Sequence, residues 1–128
     1  MSLVPDDLFY TKTHEWVKIE DNTALCGITD FAQKELSDIV YVDITEMGKE
    51  LNQGERFGTI EAVKTVSDLY LPVSGEIIQV NDLIKNDPGI INQEPYGRGW
   101  IIKIRIKNKE ELKNLLKAED YKKHIGEV

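Results

Sequence analysis

The sequence predicts a mostly β protein with short helices, folded as an antiparallel β-sandwich or barrel with a C-terminal helix. Three observations carry this. Short runs of period-two alternation recur along the 128 residues. Turn residues separate them at close spacing, which disfavours a βαβ array. Helix-start signatures stand out at only two places, one near residue 30 and one near residue 108.

Taken in order, Glu15–Ile19 alternates, and Asp21-Asn22 turns it into Thr23–Ile28. Asp30-Phe-Ala-Gln33 matches a capping box, with Asp30 as N-cap and Gln33 at the third helical position. Val40–Asp43 reads as a strand, and Met47-Gly48 and Asn52-Gln-Gly54 mark turns. Arg56–Glu61 and Val66–Tyr70 are strand-like runs flanking a short gap. Pro72-Val-Ser-Gly75 turns into Glu76–Val80, Asp87-Pro-Gly89 turns again, and Trp100–Lys107 is the longest strand. Asn108-Lys-Glu-Glu111 opens a C-terminal helix with an apolar stripe at Leu112, Leu115 and Leu116. A second short helix covers Ala118–Ile125.

The gap between the two flanking runs holds Lys64. With Val63 and Lys64 as the central turn residues, Ala62 faces Thr65, Glu61 faces Val66, Ile60 faces Ser67, Thr59 faces Asp68 and Phe57 faces Tyr70. Val-Lys lacks the Asn-Gly or Asp-Gly chemistry of a tight hairpin turn, so the hairpin rests on its flanks. A hairpin-tip lysine is a reachable amine. Glu61 and Asp68 close by in sequence favour its charged form, which argues against a Schiff-base catalyst.

Composition narrows the function further. A chain with 41% hydrophobic residues is large enough to bury its own core. The longest apolar run, Ile39–Val42, is far too short to span a bilayer, so no membrane role is expected. Asp6 and Asp7 stand where a signal or transit peptide needs bases. Residues 1–98 hold 18 acids against 8 bases, and residues 99–128 hold 8 bases against 5 acids. An acidic body repels phosphate backbones, so no nucleic-acid partner is expected. Cys26, the only cysteine, alternates with Ala24 and Ile28 as a small buried hydrophobe.

No metal or catalytic constellation is recognisable. His14 and His124 lack the spacing of a zinc site. Gly97-Arg-Gly99 lacks the lysine and hydroxyl of a phosphate loop and reads as a turn before Trp100. Trp16 and Trp100 lie in strands and read as core.

Around the lysine, the chain resembles swinging-arm domains that carry lipoyl or biotinyl groups. Biotinyl domains place methionine on both sides of the lysine, whereas Val63 and Thr65 stand here. More specifically, it is similar to the glycine cleavage system H proteins. Thr13-His-Glu-Trp-Val17, Gly27-Ile-Thr-Asp30, Gly58-Thr-Ile-Glu-Ala-Val-Lys64, Ser67-Asp68, Pro72-Val-Ser-Gly75 and Pro95-Tyr-Gly-Arg-Gly-Trp100 match in the family's order across nearly the whole chain. Ala62, Thr65 and Arg98 depart from it, standing where serine, alanine and an acid are usual.

The resemblance implies a lipoyl-domain-like β-sandwich (a barrel-sandwich hybrid). One lipoyl-carrier domain would span 1–128, with a core over about 8–107 and a C-terminal helical segment over about 108–125. Lipoate would be held covalently on Lys64, in the hairpin context of Glu61, Val63 and Ser67. Thr13, Glu15 and Asp68 would form the cleft in which the arm parks. The implied role is a non-catalytic carrier that shuttles the aminomethyl group of glycine. Its partners would be a pyridoxal-phosphate glycine decarboxylase, an aminomethyltransferase, dihydrolipoyl dehydrogenase and lipoylating enzymes. The carrier would be a monomer on its own, cytoplasmic in a bacterium or archaeon and in the mitochondrial matrix only as a processed eukaryotic form. Alternatives are an H-like carrier relaying lipoate to 2-oxoacid dehydrogenase complexes, a biotin carrier disfavoured by Val63 and Thr65, and a β-sandwich interaction module with an unmodified lysine.

Overall fold

The computed structural model describes residues 1–127; Val128, the last residue of the expected 1–128 domain, lies outside them. Among the described residues, nine strands form two antiparallel sheets. Strands β1 (Phe9–Tyr10), β2 (Glu15–Glu20), β3 (Thr23–Ile28), β9 (Ile102–Ile106), β8 (Gly75–Val80) and β5 (Glu50–Leu51) make the larger sheet in that spatial order. Strands β4 (Ile39–Ile44), β6 (Arg56–Ala62) and β7 (Val66–Tyr70) make the smaller. The main core lies between them and includes Cys26, Ile28, Phe57, Ile60, Leu69, Ile77 and Ile104. Cys26 and Ala24 are fully buried, as their alternation with Ile28 requires.

Alternation on β2 sorts residues to two cores. Val17 pairs with Cys26 and Glu15 with Ile28, so these side chains share the inner face, while Trp16 points to the opposite one. That outer face is covered. Trp16 packs in a second cluster with Val4, Leu8, Tyr10, Ala118 and Tyr121, and its indole N–H donates to the Pro95 carbonyl at 2.9 Å. The cover comes from the N-terminal segment and from α4 (Ala118–His124), whose Tyr121 ring stacks on Tyr10 with centroids 4.7 Å apart.

Several local expectations are corrected. The first helix, α1 (Asp30–Leu36), is capped by Thr29, whose hydroxyl accepts from the Ala32 amide; Asp30 is instead its first residue and accepts from the Gln33 side chain at 2.8 Å. Both residues are good caps, and the buried position of Thr29 decides between them. The C-terminal helix does not open at residue 108 and run on. Asn108 caps only a 3₁₀ turn, Lys109–Asn114. The chain is then extended, because Leu116 exchanges both backbone hydrogen bonds with Tyr10 at 2.8 Å. Leu112 and Leu115 therefore pack on the main core and Leu116 on the second cluster, not along one stripe. Two four-residue helices, α2 (Leu83–Asn86) and α3 (Ile90–Gln93), flank the expected Asp87-Pro-Gly89 turn.

The lysine hairpin keeps its expected register from Glu61–Val66 through Gly58–Leu69, then departs from it. A bulge at Phe57 then pairs Arg56 with Tyr70, so the Phe57–Tyr70 pair does not form. Phe57 is sent fully into the core instead. Next to the bulge, Gly58 lets β4 approach closely: a Cβ there would stand 2.4 Å from the Asp43 carbonyl oxygen on β4.

Candidate functional site

At the tip of the β6–β7 hairpin, the Ala62 amide donates to the Thr65 carbonyl at 2.8 Å, leaving Val63 and Lys64 as the two turn residues. The Val63 amide donates to the Asp38 carbonyl at 3.1 Å, tying the tip to the segment before β4. Backbone contacts thus hold the turn whose own sequence is not a turn signature. Lys64 is exposed, with neither a salt bridge nor a hydrogen bond among the described residues. Val63 and Val66 beside it are 69% and 61% exposed, and Glu61 is exposed on the same strand end.

The same hairpin leads to a cleft of about 300 Å³. β2 supplies its Glu15, and the turn before β2 supplies Thr13 and His14; α1 supplies Phe31 and Glu35, and β7 supplies Ser67 and Asp68. Ile60 and Leu69 form part of an apolar floor. Thr13, Glu15 and Asp68, far apart in sequence, thus meet in one cavity, whereas Glu61, Val63 and Lys64 lie outside it at the tip. A larger groove of about 510 Å³ runs between β4 and β8 and contains none of these residues.

Glu15 is the unusual group. Only 1% exposed, it sits on the inner face of β2 with no paired cation among the described residues. Its Oε1 accepts from the hydroxyls of Thr11 and Thr13, each at 2.5 Å, and its Oε2 accepts from the Tyr70 amide at 3.3 Å. Burial dominates and pushes the carboxyl up to about 7, although these hydrogen bonds pull it down. The protein therefore keeps a poorly solvated carboxyl at a cleft wall, protonated below about 7 and acceptor-only once ionised. Asp68 is exposed at the rim and held loosely by the Tyr70 hydroxyl at 3.4 Å. This arrangement suits a small cation, for which two carboxylates and a hydroxyl are matched acceptors.

Thr11, His14, Phe31, Glu35 and Tyr121 were not identified from the sequence. Thr11 had a usable signal, a second hydroxyl spaced two residues before Thr13 and four before the carboxylate it serves. The others had none. The His14 and His124 rings stand 5.7 Å apart only because α4 packs over β2. Among the described residues no group of three or more His, Cys, Asp or Glu is arranged to hold a metal ion, and no helix is long and apolar enough to cross a membrane.

Comparison with known proteins bears on this geometry. The family model described as "Glycine cleavage H-protein" matches residues 8–128. The glycine cleavage system H protein of Halothermothrix orenii is 49% identical over 125 residues, covering 98% of this chain and 98% of that protein. That of Symbiobacterium thermophilum is 52% identical over 121 residues, covering 94% of each. The crystal structure of the glycine cleavage system H protein from Mycobacterium marinum superposes with a TM-score of 0.85 at 36% identity. It covers 96% of this chain and 99% of its own.

Proposed function

Because this chain belongs to the glycine cleavage H-protein family, the non-catalytic lipoyl carriers of the glycine cleavage system, we propose that Lys64 bears the lipoyl group and that the Glu15 cleft shelters its cargo. The observation that carries this reading is the pairing of an exposed, unpartnered hairpin-tip lysine with a buried, cation-free carboxylate served by the same hairpin. Residues fit the group on both counts. The Lys64 amine is free for acylation, and the cleft has an apolar floor for a chain and acceptors at its wall. When bound, a lysine-linked dithiolane supplies a two-electron thiol–disulfide couple and a sulfur able to carry a one-carbon amine.

The chain's own residues do the rest. The hairpin fixes one end of the arm, so whatever it bears stays at high effective concentration near a docked enzyme. From the turn to Asp68 is four strand residues, about 13 Å, which is the span a lysine-borne chain must cover to reach the cleft rim. Thr13, Glu15 and Asp68 accept hydrogen bonds from a cationic amine, while Phe31, Ile60 and Leu69 limit water around it. The enzymes that load, unload and reoxidise the arm would be a pyridoxal-phosphate glycine decarboxylase, an aminomethyltransferase and dihydrolipoyl dehydrogenase. The bacterial relatives support a cytoplasmic setting.

The test is retention. Glu15→Ala removes the buried acceptor, and hydrogen bonds to charged groups are worth about 1.5–3 kcal/mol, so the loaded protein should lose its aminomethyl group about tenfold faster or more. Intact-mass measurement over time reads the loss. An unchanged rate would end the sheltering role for Glu15.

A further inference from the structure

Behind the cleft, residues from opposite ends of the chain form a hydrogen-bonded relay. Tyr121 of α4 is fully buried, with its Oη 2.7 Å from Thr29 Oγ1 and 2.8 Å from His14 Nδ1. Thr29 is also fully buried, and its Oγ1 already accepts from the Ala32 amide at 3.2 Å. A hydroxyl has one proton to give. Among the described residues the only acceptor within reach of the Thr29 proton is Tyr121 Oη. Thr29 therefore donates to Tyr121, and Tyr121 donates to His14 Nδ1. The opposite direction would leave a buried hydroxyl proton unpaired. With Nδ1 accepting, the ring proton of His14 sits on Nε2.

The imidazole is held firmly in this place. His14 has a left-handed backbone (φ 74°), fixed by its amide to the Thr11 carbonyl and by the Thr29 amide to its own carbonyl. Its ring lies against Phe31 of α1, with centroids 5.0 Å apart, and lines the cleft. The charged and titratable groups around it are Glu15 on β2, Glu35 on α1, and Tyr121 and His124 on α4. Burial and His124 push its protonation below the ordinary histidine range, and Glu35 opposes them. His124 is committed elsewhere, donating from Nε2 to the Lys12 carbonyl at 2.9 Å.

We propose that Tyr121 is a positioning residue that, through the Thr29–Tyr121–His14 relay, holds His14 as the neutral Nε2–H imidazole at the cleft wall, so that no protein cation competes with an ammonium-bearing cargo for Glu15 and Asp68. This rests on the sheltering role proposed above. With a cationic amine in the cleft holding Glu15 ionised, a protonated His14 would compete with it for the cleft carboxylates and repel it. The relay also gives α4, distant in sequence from the cleft, a part in its chemistry.

The first test needs no lipoyl group. In ¹⁵N-labelled unlipoylated protein, NMR should show His14 Nδ1 unprotonated and Nε2 protonated, with a titration midpoint below that of an ordinary histidine. Tyr121→Phe removes the hydroxyl and keeps the ring that stacks on Tyr10; in it the tautomers should mix and the midpoint should rise. An Nδ1–H tautomer in the wild type overturns the proposal even if the variant does not fold, and so does an identical titration in both proteins. The second test uses the loaded protein. Tyr121→Phe should speed loss of the aminomethyl group about tenfold at about pH 6 and leave it near the wild-type rate at about pH 8. Equal acceleration at both pH values marks a merely structural role and overturns it, as does no acceleration at all. If Glu15→Ala leaves retention unchanged, sheltering fails separately, and the tautomer measurement still reads the relay.

Discussion

Replacing Glu15 by glutamine should reverse its effect on stability between acid and alkaline pH. The folded chain raises this carboxyl from 4.5 to about 7, so between those values it holds a proton that the unfolded chain has released. Stability from this site is therefore full below about 4.5, falls as pH rises to about 7, and is level above. At about 1.36 kcal/mol per pH unit the loss is about 3 kcal/mol. Glutamine avoids it, because a neutral amide has no charge to desolvate. Its Oε1 can still accept from Thr11 and Thr13, but its nitrogen would face the Tyr70 amide, costing about 1 kcal/mol. Glu15→Gln should thus be about 1 kcal/mol less stable than wild type at about pH 4.5 and about 2 kcal/mol more stable at about pH 8. Urea denaturation of the unlipoylated proteins at both pH values measures this. A stability difference that does not change with pH would refute the burial argument for Glu15. The same argument explains why the site favours a cation: an ammonium in the cleft would offset the cost of the ionised carboxylate.

Two further outcomes test how the fold presents the site. Gly75→Ala should destabilise by about 2–3 kcal/mol or more in urea melts, because its Cβ would stand 2.1 Å from the Arg105 carbonyl oxygen, a backbone atom of the paired strand. Asn92→Ala should cost about 1–3 kcal/mol and speed hydrogen exchange at the Ile39 amide, since that amide donates to Asn92 Oδ1 at 2.9 Å while Nδ2 donates to the Ser37 carbonyl at 2.7 Å.

Alternation made most strands legible, although Trp100–Lys107, expected to be the longest, forms only the five residues of β9, Ile102–Ile106. Turn residues placed β2, β3 and β8 closely, and the flanks of Lys64 placed its hairpin and most of its register. What escaped was decided by distant contacts. The β6 bulge turns Phe57 into the core, and the break after Asn114 depends on Tyr10 claiming the backbone of Leu116. The four-residue helices α2 and α3 are too short to show a helical period. Of the cleft, alternation places Glu15 on the face of Val17, yet a carboxylate on an inward face reads as solvated until the cover is known. The relay through Tyr121 was invisible, because nothing local connects His14 to a residue 107 positions away.

Peptide-level mass mapping of the protein made in lipoate-competent cells tests the central assignment most directly. The expected result is a lipoyl adduct on the peptide containing Lys64, and its loss in Lys64→Arg. An adduct on a different lysine, or none despite an active lipoylating enzyme, would contradict it.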